Sequence, residues 1–320
     1  MSPRQDAPAP APADPATEGP LPRDAPDDGA PLVLRYWGVR GSVPAPGADT
    51  ARYGGNTPCV ELRAADGRRL VLDAGTGLRA FGQALGAADA GPAAGLPVLV
   101  THGHADHVQG LPFFAPLARG RLDVHVAAGA AAADGVAAAV RALSQPPLFP
   151  EADGLADRLP VHPLPDDAET AVGGFGVRTV PVAHPGGARG FVVRDPASGL
   201  RVAYLPDNEL AAIEGACGGR RALLEAVAEV DVLIHDATYL PAELAAHRGW
   251  GHSSYAEAVR LAADAGARRL VLFHHDPSRD DDAVDRIARV AARLAAASPG
   301  GGPAVTAAAE GLRLAVTAPR

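Results

Sequence analysis

The chain has 320 residues, of which 47% are hydrophobic, and a formal net charge of -8. This length and apolar content can bury a substantial core, and the acidic balance argues against a general nucleic-acid binder. All 29 basic residues are arginine, which excludes Schiff-base chemistry and any phosphate loop that needs a lysine. Only Cys59 and Cys217 occur, so the sequence predicts no disulfide framework and suits a reducing compartment.

The N-terminal segment 1–31 is rich in Pro, Ala and Asp and has almost no large apolar side chains. Such a segment cannot collapse onto a core, and we predict that it is disordered. It also lacks the apolar stretch of a signal peptide, and nothing in the chain resembles the ~18 apolar residues of a membrane span. These features predict a cytoplasmic protein without a membrane partner.

Short apolar runs separated by turn residues predict a series of β-strands from residue 32 onward. The predicted strands are 32–39, 59–63, 70–72, 98–101, 122–126, 177–183, 200–205, 230–234, 270–273 and 312–316. Helical periodicity predicts helices over 108–118, 130–143, 220–227, 255–265 and 283–297. Strands that alternate with helices are typical of a layered α/β protein.

The segment 101–107, Thr-His-Gly-His-Ala-Asp-His, directly follows one of these strands. Because residues two apart in an extended segment face the same side, His102 and His104 can point at one cation. Asp106 and His107 lie at the start of the next predicted helix and face a neighbouring position. This arrangement suits two divalent metal ions, and a ligand set without thiolate favours Zn²⁺, with Mn²⁺ or Fe²⁺ as alternatives.

Other predicted strands are also followed by polar side chains that can bind metal or carry protons. These residues are Asp73, His102, His184, Asp207, His235 with Asp236, and His274 with His275. Open α/β sheets place their chemistry at the carboxyl ends of strands. The pattern therefore predicts an active-site rim rather than isolated core histidines.

At these residues the chain resembles the metallo-β-lactamase superfamily, which carries the motif His-x-His-x-Asp-His. The resemblance covers residues 32–316, and it implies a single hydrolase domain over 32–320 with a four-layer αββα sandwich of two mixed β-sheets. The ligands that it implies are His102, His104 and His184 for one metal ion, Asp106, His107 and His274 for the second, and Asp207 as a bridge. Asp73 matches a carboxylate that accepts the distal ring N–H of a ligand histidine and so fixes its orientation.

Two further clusters resemble the branch that contains the tRNA 3′-end endonucleases (tRNase Z) and related cyclic-nucleotide phosphodiesterases. Residues 235–238, His-Asp-Ala-Thr, and 251–254, Gly-His-Ser-Ser, resemble its His-Glu-Ala-Thr and His-Ser-Thr elements, with Asp236 in place of the Glu. In that branch the carboxylate orients a histidine that protonates the leaving oxygen, which implies these roles for Asp236 and His252. The glycine-rich segments 37–42 and 53–57 resemble the N-terminal part of phosphodiesterase-like members and either line the pocket or are ordinary hairpin turns.

The resulting prediction is phosphodiester hydrolysis by a metal-bridging hydroxide, with Asp106, Asp236 and His252 as catalytic residues: Asp106 within the metal site, and His252, oriented by Asp236, as general acid. The predicted substrate is a small, cyclic-nucleotide-type phosphodiester. RNA is the less favoured alternative, because no basic, glycine-rich arm of the tRNase Z kind occurs in the sequence. Candidates for contact with a phosphate oxygen are Arg40, Arg52, Arg189 and Arg248, and their spacing singles out none of them.

Two other classes of function stay open. Hydrolysis of lactones or thioesters shares the first motif, but Asp236 and His252 argue for a leaving group that needs a proton. A non-catalytic nucleotide-binding module is disfavoured by the intact ligand set, since clustered imidazoles and carboxylates without metal would stay unsatisfied. His104 stands where a Glu would indicate the flavodiiron branch and redox chemistry. Homodimers are common in the enzymes that the chain resembles, so a homodimer is a further possibility.

Overall fold

The structure is a computed structural model that describes residues 29–85, 95–114, 124–150, 159–166, 168–215 and 218–318. Most of the segment predicted to be disordered, residues 1–28, lies outside this range, so that prediction is not tested. Within the described ranges, no helix combines the length and the apolar character needed to cross a bilayer.

Fourteen strands in the described ranges form two seven-stranded sheets. The strands are β1 (Leu32–Gly38), β2 (Cys59–Ala64), β3 (Arg69–Leu72), β4 (Leu96–Leu99), β5 (Val124–Gly129), β6 (Val161–Leu164), β7 (Thr170–Val172), β8 (Phe175–Pro181), β9 (Arg189–Arg194), β10 (Arg201–Leu205), β11 (Val232–Asp236), β12 (Arg269–Phe273), β13 (Ala304–Ala307) and β14 (Arg313–Val316). The first sheet has the order β14-β1-β2-β3-β4-β5-β6 and the second β13-β12-β11-β10-β9-β8-β7. Both sheets contain parallel and antiparallel pairs, which confirms the predicted mixed sheets.

The helices in the described ranges are α1 (Gly77–Ala84), α2 (Ala105–Val108), α3 (Ala130–Leu143), α4 (Gly219–Ala226), α5 (Tyr255–Asp264) and α6 (Asp281–Ala296). The predicted helix over 108–118 is wrong: α2 begins three residues earlier and ends at Val108, and a 3-10 turn follows at Leu111–Phe113. Pro112 explains the break, since proline has no N–H to donate to the carbonyl four residues earlier, whereas Gly110 itself keeps a helical backbone conformation. Residues 115–118 of that prediction lie outside the described residues.

The hydrophobic core lies between the two sheets and between each sheet and its covering helices. Between the sheets, Leu34 and Leu62 of the first sheet share a buried cluster with Phe191 and Val202 of the second. The outer face of the first sheet packs on α1 and α3, and α5 and α6 cover the second sheet. Helices therefore lie outside both sheets, and the four-layer αββα sandwich is confirmed.

Four strands were missed by the sequence pattern: β6, β7, β9 and β13. Short edge strands carry little alternation, and β7 has only three residues. β9 lies inside the second sheet, between β8 and β10, but it begins with Arg189 and Gly190. Glycine weakens a strand signal, and here it allows the Leu205 side chain to approach the backbone, because a Cβ atom would lie 2.1 Å from it.

Candidate metal centre

The carboxyl ends of parallel strands from both sheets meet at one edge of the sandwich. In the first sheet β3 and β4 run parallel, and in the second β10, β11 and β12 run parallel. Strand pairing gives these ends a fixed register, so the residues that follow them arrive at defined positions. The sequence-predicted site residues come together at this edge.

The imidazoles of His102, His104 and His184 form the first group, with candidate ligand nitrogens within 4.8 Å of one another. His184 Nε2 lies 3.1 Å from His104 Nδ1, and the His102 and His104 rings are 4.3 Å apart. The Nδ1–H of His184 donates to the carbonyl of Gly251 at 3.0 Å. That hydrogen bond leaves the Nε2 lone pair for the space shared with the other two rings.

Asp106, His107 and His274 form the second group, again with candidate ligand atoms within 4.8 Å of one another. Asp106 and His107 lie in the short helix α2, and His274 directly follows β12. Asp106 Oδ2 is 3.2 Å from His107 Nε2 and 3.3 Å from His274 Nε2. The backbone N–H of Ser42 also donates to Asp106 Oδ2 at 2.8 Å and holds the carboxylate in place.

Asp207 lies between the two groups and is 2% exposed. Its Oδ2 is 2.8 Å from His107 Nε2 and 3.4 Å from His102 Nε2. Its Oδ1 is 2.9 Å from His274 Nε2. The two oxygens thus face ring nitrogens of both groups, which is the position that a bridging carboxylate needs.

We call these seven side chains the metal cage. Its members are His102, His104, Asp106, His107, His184, Asp207 and His274. Several of its buried atoms, among them His102 Nε2, His107 Nε2 and Asp207 Oδ1, approach their neighbours without making a hydrogen bond. Since buried polar atoms are normally satisfied, an unsatisfied set that converges on one space fits divalent cations. The donor set therefore fits metal, and the role of each residue as a ligand stays a prediction.

Hydrogen bonds behind the cage fix which ring nitrogen faces it. The Nδ1–H of His107 donates to Asp73 Oδ2 at 2.7 Å, which leaves Nε2 as the free lone pair. Thr238 Oγ1 donates to the carbonyl of His274 at 2.8 Å and therefore accepts from His274 Nδ1 at 3.1 Å. Two of the predicted ligands thus present Nε2 to the cage.

Asp73 serves as a buried support beneath the cage. Besides His107, it accepts hydrogen bonds from the Tyr204 hydroxyl at 2.8 Å and from the backbone N–H of Thr101 at 2.8 Å. It has a φ of 58°, a conformation that is uncommon for residues other than glycine. His274 also has a φ of 58°, so the backbone carries strain on both sides of the cage, which is common at functional sites.

The carboxylates of the cage favour positive charge on the buried histidines next to them. Burial opposes a charge on His107, but the neighbouring carboxylates, that of Asp106 first, raise its pKa well above the ordinary value. Burial also lowers the pKa of His274, but the carboxylates of Asp207 and Asp106 outweigh it and raise this pKa to about 10. Despite burial, the nearby histidines hold the pKa of Asp207 well below its usual range. Divalent cations would supply this positive charge and displace the ring protons.

His252 and Asp236 lie beside the cage, and we call them the proton-donor pair after the role that the sequence predicts for His252. His252 Nδ1 is 2.7 Å from Asp236 Oδ2, so an N–H at Nδ1 donates to the carboxylate and Nε2 remains available. Asp236 Oδ1 accepts from the backbone N–H groups of Thr238 and Ser253 at 3.0 and 3.2 Å. Burial lowers and the Asp236 charge raises the pKa of His252, and the net effect is a raised pKa that favours the protonated ring.

The pair also lies close enough to Asp207 to suggest another grouping. His252 Nδ1 is 3.4 Å from Asp207 Oδ1, and the two residues of the pair fall within 4.8 Å of Asp207 and His274 as possible ligands. The Nδ1 of His252 donates to Asp236 at the shorter distance, 2.7 Å, which is compatible with the predicted acid role. The metal content of a His252 variant distinguishes the two roles.

The roles of three supporting residues were not predicted from the sequence, although Ser253 lies in the 251–254 element. Asn208 Oδ1 accepts from the backbone N–H of Ala183, next to His184, at 3.0 Å. The Glu209 carboxylate accepts from the backbone N–H groups of Gly249 and Gly251 at 2.9 Å each. Ser253 Oγ donates to the carbonyl of Asn208 at 2.5 Å. Their position directly after Asp207 and His252 was the only available signal, because their partners are backbone groups that no sequence pattern reveals.

The glycine-rich segment 37–42 lines the cage, which was the first of the two alternatives predicted for it; the other was an ordinary hairpin turn. A Cβ atom at Gly41 would lie 2.3 Å from the His274 ring, so glycine lets the backbone approach the ligand side chain. The segment 53–57 lies behind it: Asn56 bonds to Glu310, and Thr57 to Thr76. Neither of these two contacts involves a cage side chain.

The arginine candidates for phosphate contact have other partners or lie at the surface. Arg40 is fully buried and donates to the carbonyls of Gly54 and Arg279 at 2.8 and 2.7 Å. The Arg189 guanidinium pairs with Asp166, and Arg52 pairs with the acidic residues at the start of α6. Arg40 is therefore a structural residue. Arg248 is exposed, in the segment that leads to His252.

The remaining histidines next to the site have structural contacts. His275 Nε2 donates to the carbonyl of Ala308 at 2.9 Å, so it is His274, and not its neighbour, that faces the cage. His235 Nδ1 is 2.8 Å from the Asp236 carbonyl, and its Nε2 is 3.1 Å from Asn208 Nδ2. Burial lowers the pKa of both rings, in the case of His275 to about 3, so both stay neutral.

Comparison with known proteins places this geometry in a family. The model of the beta-lactamase superfamily domain matches residues 68–275. An uncharacterized protein of Mycobacterium tuberculosis is 32% identical over 261 residues, which cover 76% of this chain and 81% of that protein. Ribonuclease Z of Pyrobaculum calidifontis is 30% identical over 266 residues, which cover 76% of this chain and 86% of that protein. Other relatives match over a shorter length: ribonuclease Z of Sulfurisphaera tokodaii is 39% identical over 83 residues, only 25% of its length and 26% of this chain.

Solved structures with low sequence identity share the fold. The metallo-beta-lactamase fold protein YhfI of Bacillus subtilis has a TM-score of 0.63 at 18% identity and covers 89% of this chain and 99% of its own. The short form of human tRNase Z has a TM-score of 0.59 at 20% identity and covers 89% of this chain and 100% of its own. Unliganded yeast PDE1 has a TM-score of 0.59 at 13% identity and covers 90% of this chain and 100% of its own. The chain therefore belongs to the beta-lactamase superfamily and has the metallo-β-lactamase fold.

Proposed function

We propose that the protein is a dinuclear-metal hydrolase that cleaves a small phosphodiester of the cyclic-nucleotide type. The metal cage would hold two divalent cations, with Zn²⁺ favoured over Mn²⁺ and Fe²⁺ by its imidazole and carboxylate donors. When bound, two such ions neutralise phosphate oxygens and lower the pKa of a water molecule. Asp106 belongs to this machinery through its contacts with His107 and His274.

The proton-donor pair supplies the part of the reaction that a metal ion alone does not. An alkoxide leaves poorly, so its oxygen needs a proton as the P–O bond breaks. The Asp236 carboxylate holds His252 by Nδ1, so the proton on Nε2 is the one that can pass to the leaving oxygen. The raised pKa of His252 keeps that proton in place until it is needed.

The observation that carries the proposal is the 2.7 Å contact between His252 and Asp236 beside the cage. A lactone or thioester has less need of a proton donor for its leaving group, so the pair favours phosphodiesters over carbonyl substrates. The names of two relatives, ribonuclease Z of P. calidifontis and yeast PDE1, support a phosphodiester as the substrate class.

Cleavage of RNA is the second candidate, because ribonuclease Z is the name of several relatives. The acidic net charge of -8 argues against it, since RNA binding usually relies on basic surfaces. We therefore place the small diester first.

The test is a substrate panel run with the Zn²⁺ and Mn²⁺ forms of the protein. We expect turnover of a nucleoside 3′,5′-cyclic phosphate and much slower turnover of a lactone and a thioester. Faster cleavage of a precursor tRNA would support the RNA alternative instead. Turnover of the lactone or thioester alone would contradict both phosphodiester proposals.

A further inference from the structure

Trp250 is the feature of the site region that the proposed reaction does not explain. It lies two residues before His252, and 61% of its surface is exposed. Since consecutive Cα atoms are ~3.8 Å apart, the two Cα atoms are within about 7.6 Å of each other. A residue with a large, solvent-exposed ring therefore lies close along the backbone to the histidine of the proton-donor pair.

The backbone around Trp250 is fixed rather than free. Gly249 and Gly251 on either side have φ values of 84° and 86°. Both donate their N–H groups to the buried carboxylate of Glu209, and the N–H of Trp250 donates to the His247 carbonyl at 3.1 Å. A Cβ atom at Gly251 would lie 2.2 Å from His184 Nδ1, so this turn is seated directly against the cage.

The indole continues a row of rings that leads to the proton donor. The row, which we call the aromatic arm, consists of Tyr239, His247 and Trp250. The Trp250 and His247 rings are 5.0 Å apart, and His247 stacks on Tyr239 at 4.3 Å with an angle of 20°. Tyr239 in turn meets the His252 ring edge-on at 5.8 Å. The arm therefore sets the position of the exposed indole relative to His252.

We infer that Trp250 is a stacking platform for an aromatic base attached to the scissile phosphodiester. This inference rests on the proposed function and names the substrate as a nucleotide rather than a base-free diester. An exposed indole stacks on any nucleobase, and such contacts carry binding energy with little dependence on the base identity. Trp250 would then be a specificity-determining residue, while the reaction itself stays with the cage and the proton-donor pair.

The experiment compares two cyclic diesters that differ only in the base. One is a nucleoside 3′,5′-cyclic phosphate, and the other is methyl ribofuranoside 3′,5′-cyclic phosphate, in which a methoxy group replaces the base. We expect Trp250→Ala to raise KM for the nucleotide by roughly 10-fold or more and to leave the base-free diester unchanged. Trp250→Phe should keep most of the affinity. The matched control is Phe113→Ala, which removes another exposed aromatic ring, 59% exposed, and should affect neither substrate.

A binding measurement gives a readout that does not depend on turnover. The chain has two tryptophans, and Trp37 is 8% exposed. We expect a nucleoside monophosphate to quench indole fluorescence in the wild type but not in Trp250→Phe, and ribose 5-phosphate to quench neither. Nucleotide turnover that is equally fast in Trp250→Ala, without quenching in the wild type, would overturn the stacking role and leave the proposed function intact. Failure to cleave any diester would instead overturn the proposed function, and this inference with it.

Discussion

The metal cage and the proton-donor pair adjoin each other, yet they balance charge in opposite ways. In the cage, several buried atoms, among them His102 Nε2, His107 Nε2 and Asp207 Oδ1, converge without hydrogen bonds, and the pKa of Asp207 is held well below its usual value. In the pair, by contrast, His252 and two backbone N–H groups satisfy Asp236. The cage therefore needs cations to be complete, whereas the pair is complete within the protein.

Because of this difference, loss of metal and loss of proton donation can be measured separately, although both lower the activity. Changes in the cage should alter the metal content, and changes in the pair should alter the rate at constant metal content. Asp207 is the place where the regions touch, because its Oδ1 lies 2.9 Å from His274 Nε2 and 3.4 Å from His252 Nδ1.

The largest effect is expected for Asp207→Ala. The change removes the carboxylate that faces both ligand groups and leaves their histidines to repel one another in a buried space. We expect the bound metal to fall from two ions to one or none, with a loss of at least about 100-fold in metal affinity, the upper end of what loss of an outer partner causes. Mass spectrometry of metal content measures this. Retention of two ions would refute the assignment of Asp207.

His252→Ala should keep both ions and slow the reaction. Loss of a general acid costs about 10² to 10⁴-fold, and the loss falls on substrates whose leaving group needs the proton. We therefore expect a large drop for an alkyl diester and a small one for a 4-nitrophenyl diester. Equal losses on both would remove His252 from the acid role, and loss of one ion would make it a ligand.

Asp73→Asn should weaken the cage from behind. His107 loses a charged acceptor for its Nδ1–H, and the amide can present a donor to Tyr204 or Thr101 instead. Variants of such outer partners typically lose 10- to 100-fold in metal affinity or activity. Competition with a chelator measures the change, with Tyr204→Phe as the milder control. An unchanged affinity in Asp73→Asn would show that the His107 orientation does not depend on this carboxylate.

Asp236→Glu should have the smallest effect of the set. The tRNase Z and phosphodiesterase branch that the chain resembles has Glu at the position of Asp236. The 2.7 Å contact between Asp236 and His252 leaves no room for another methylene unless the His252 ring moves. A displaced ring would lose part of the ~10² to 10⁴-fold that a general acid contributes, so we expect roughly a 10-fold loss in rate with both ions retained. A rate equal to the wild type would mean that the site adapts to either carboxylate.

The two regions also differ in how far the sequence predicted them. Four members of the cage, His102 to His107, lie within six residues, and their spacing alone indicates a metal site. His184, Asp207 and His274 come from separate loops; their place after apolar runs marks them as rim residues, and the resemblance implied their roles as ligands. Asp236 and His252 were identified through the resemblance, since the sheet and the turn at Gly251 bring them together across 16 positions.

Features that depend on tertiary contacts were harder to predict from the sequence. The helix expected over 108–118 was replaced by α2 and a 3-10 turn, and between them Gly110 packs against the Gly75 carbonyl, where a Cβ atom would lie 2.0 Å away. Periodicity takes no account of such a contact. Nothing in the sequence distinguishes Glu209 from a surface residue, although its carboxylate is buried and holds the turn that leads to His252.

The most direct test of the central claim is anomalous diffraction from crystals of the protein loaded with Zn²⁺ or Mn²⁺. We predict two anomalous peaks roughly 3.5 to 4 Å apart, one among His102, His104 and His184 and one beside Asp106 and His107. Asp207 should lie between them. A single peak, or none in the cage of fully loaded protein, would contradict the two-metal account.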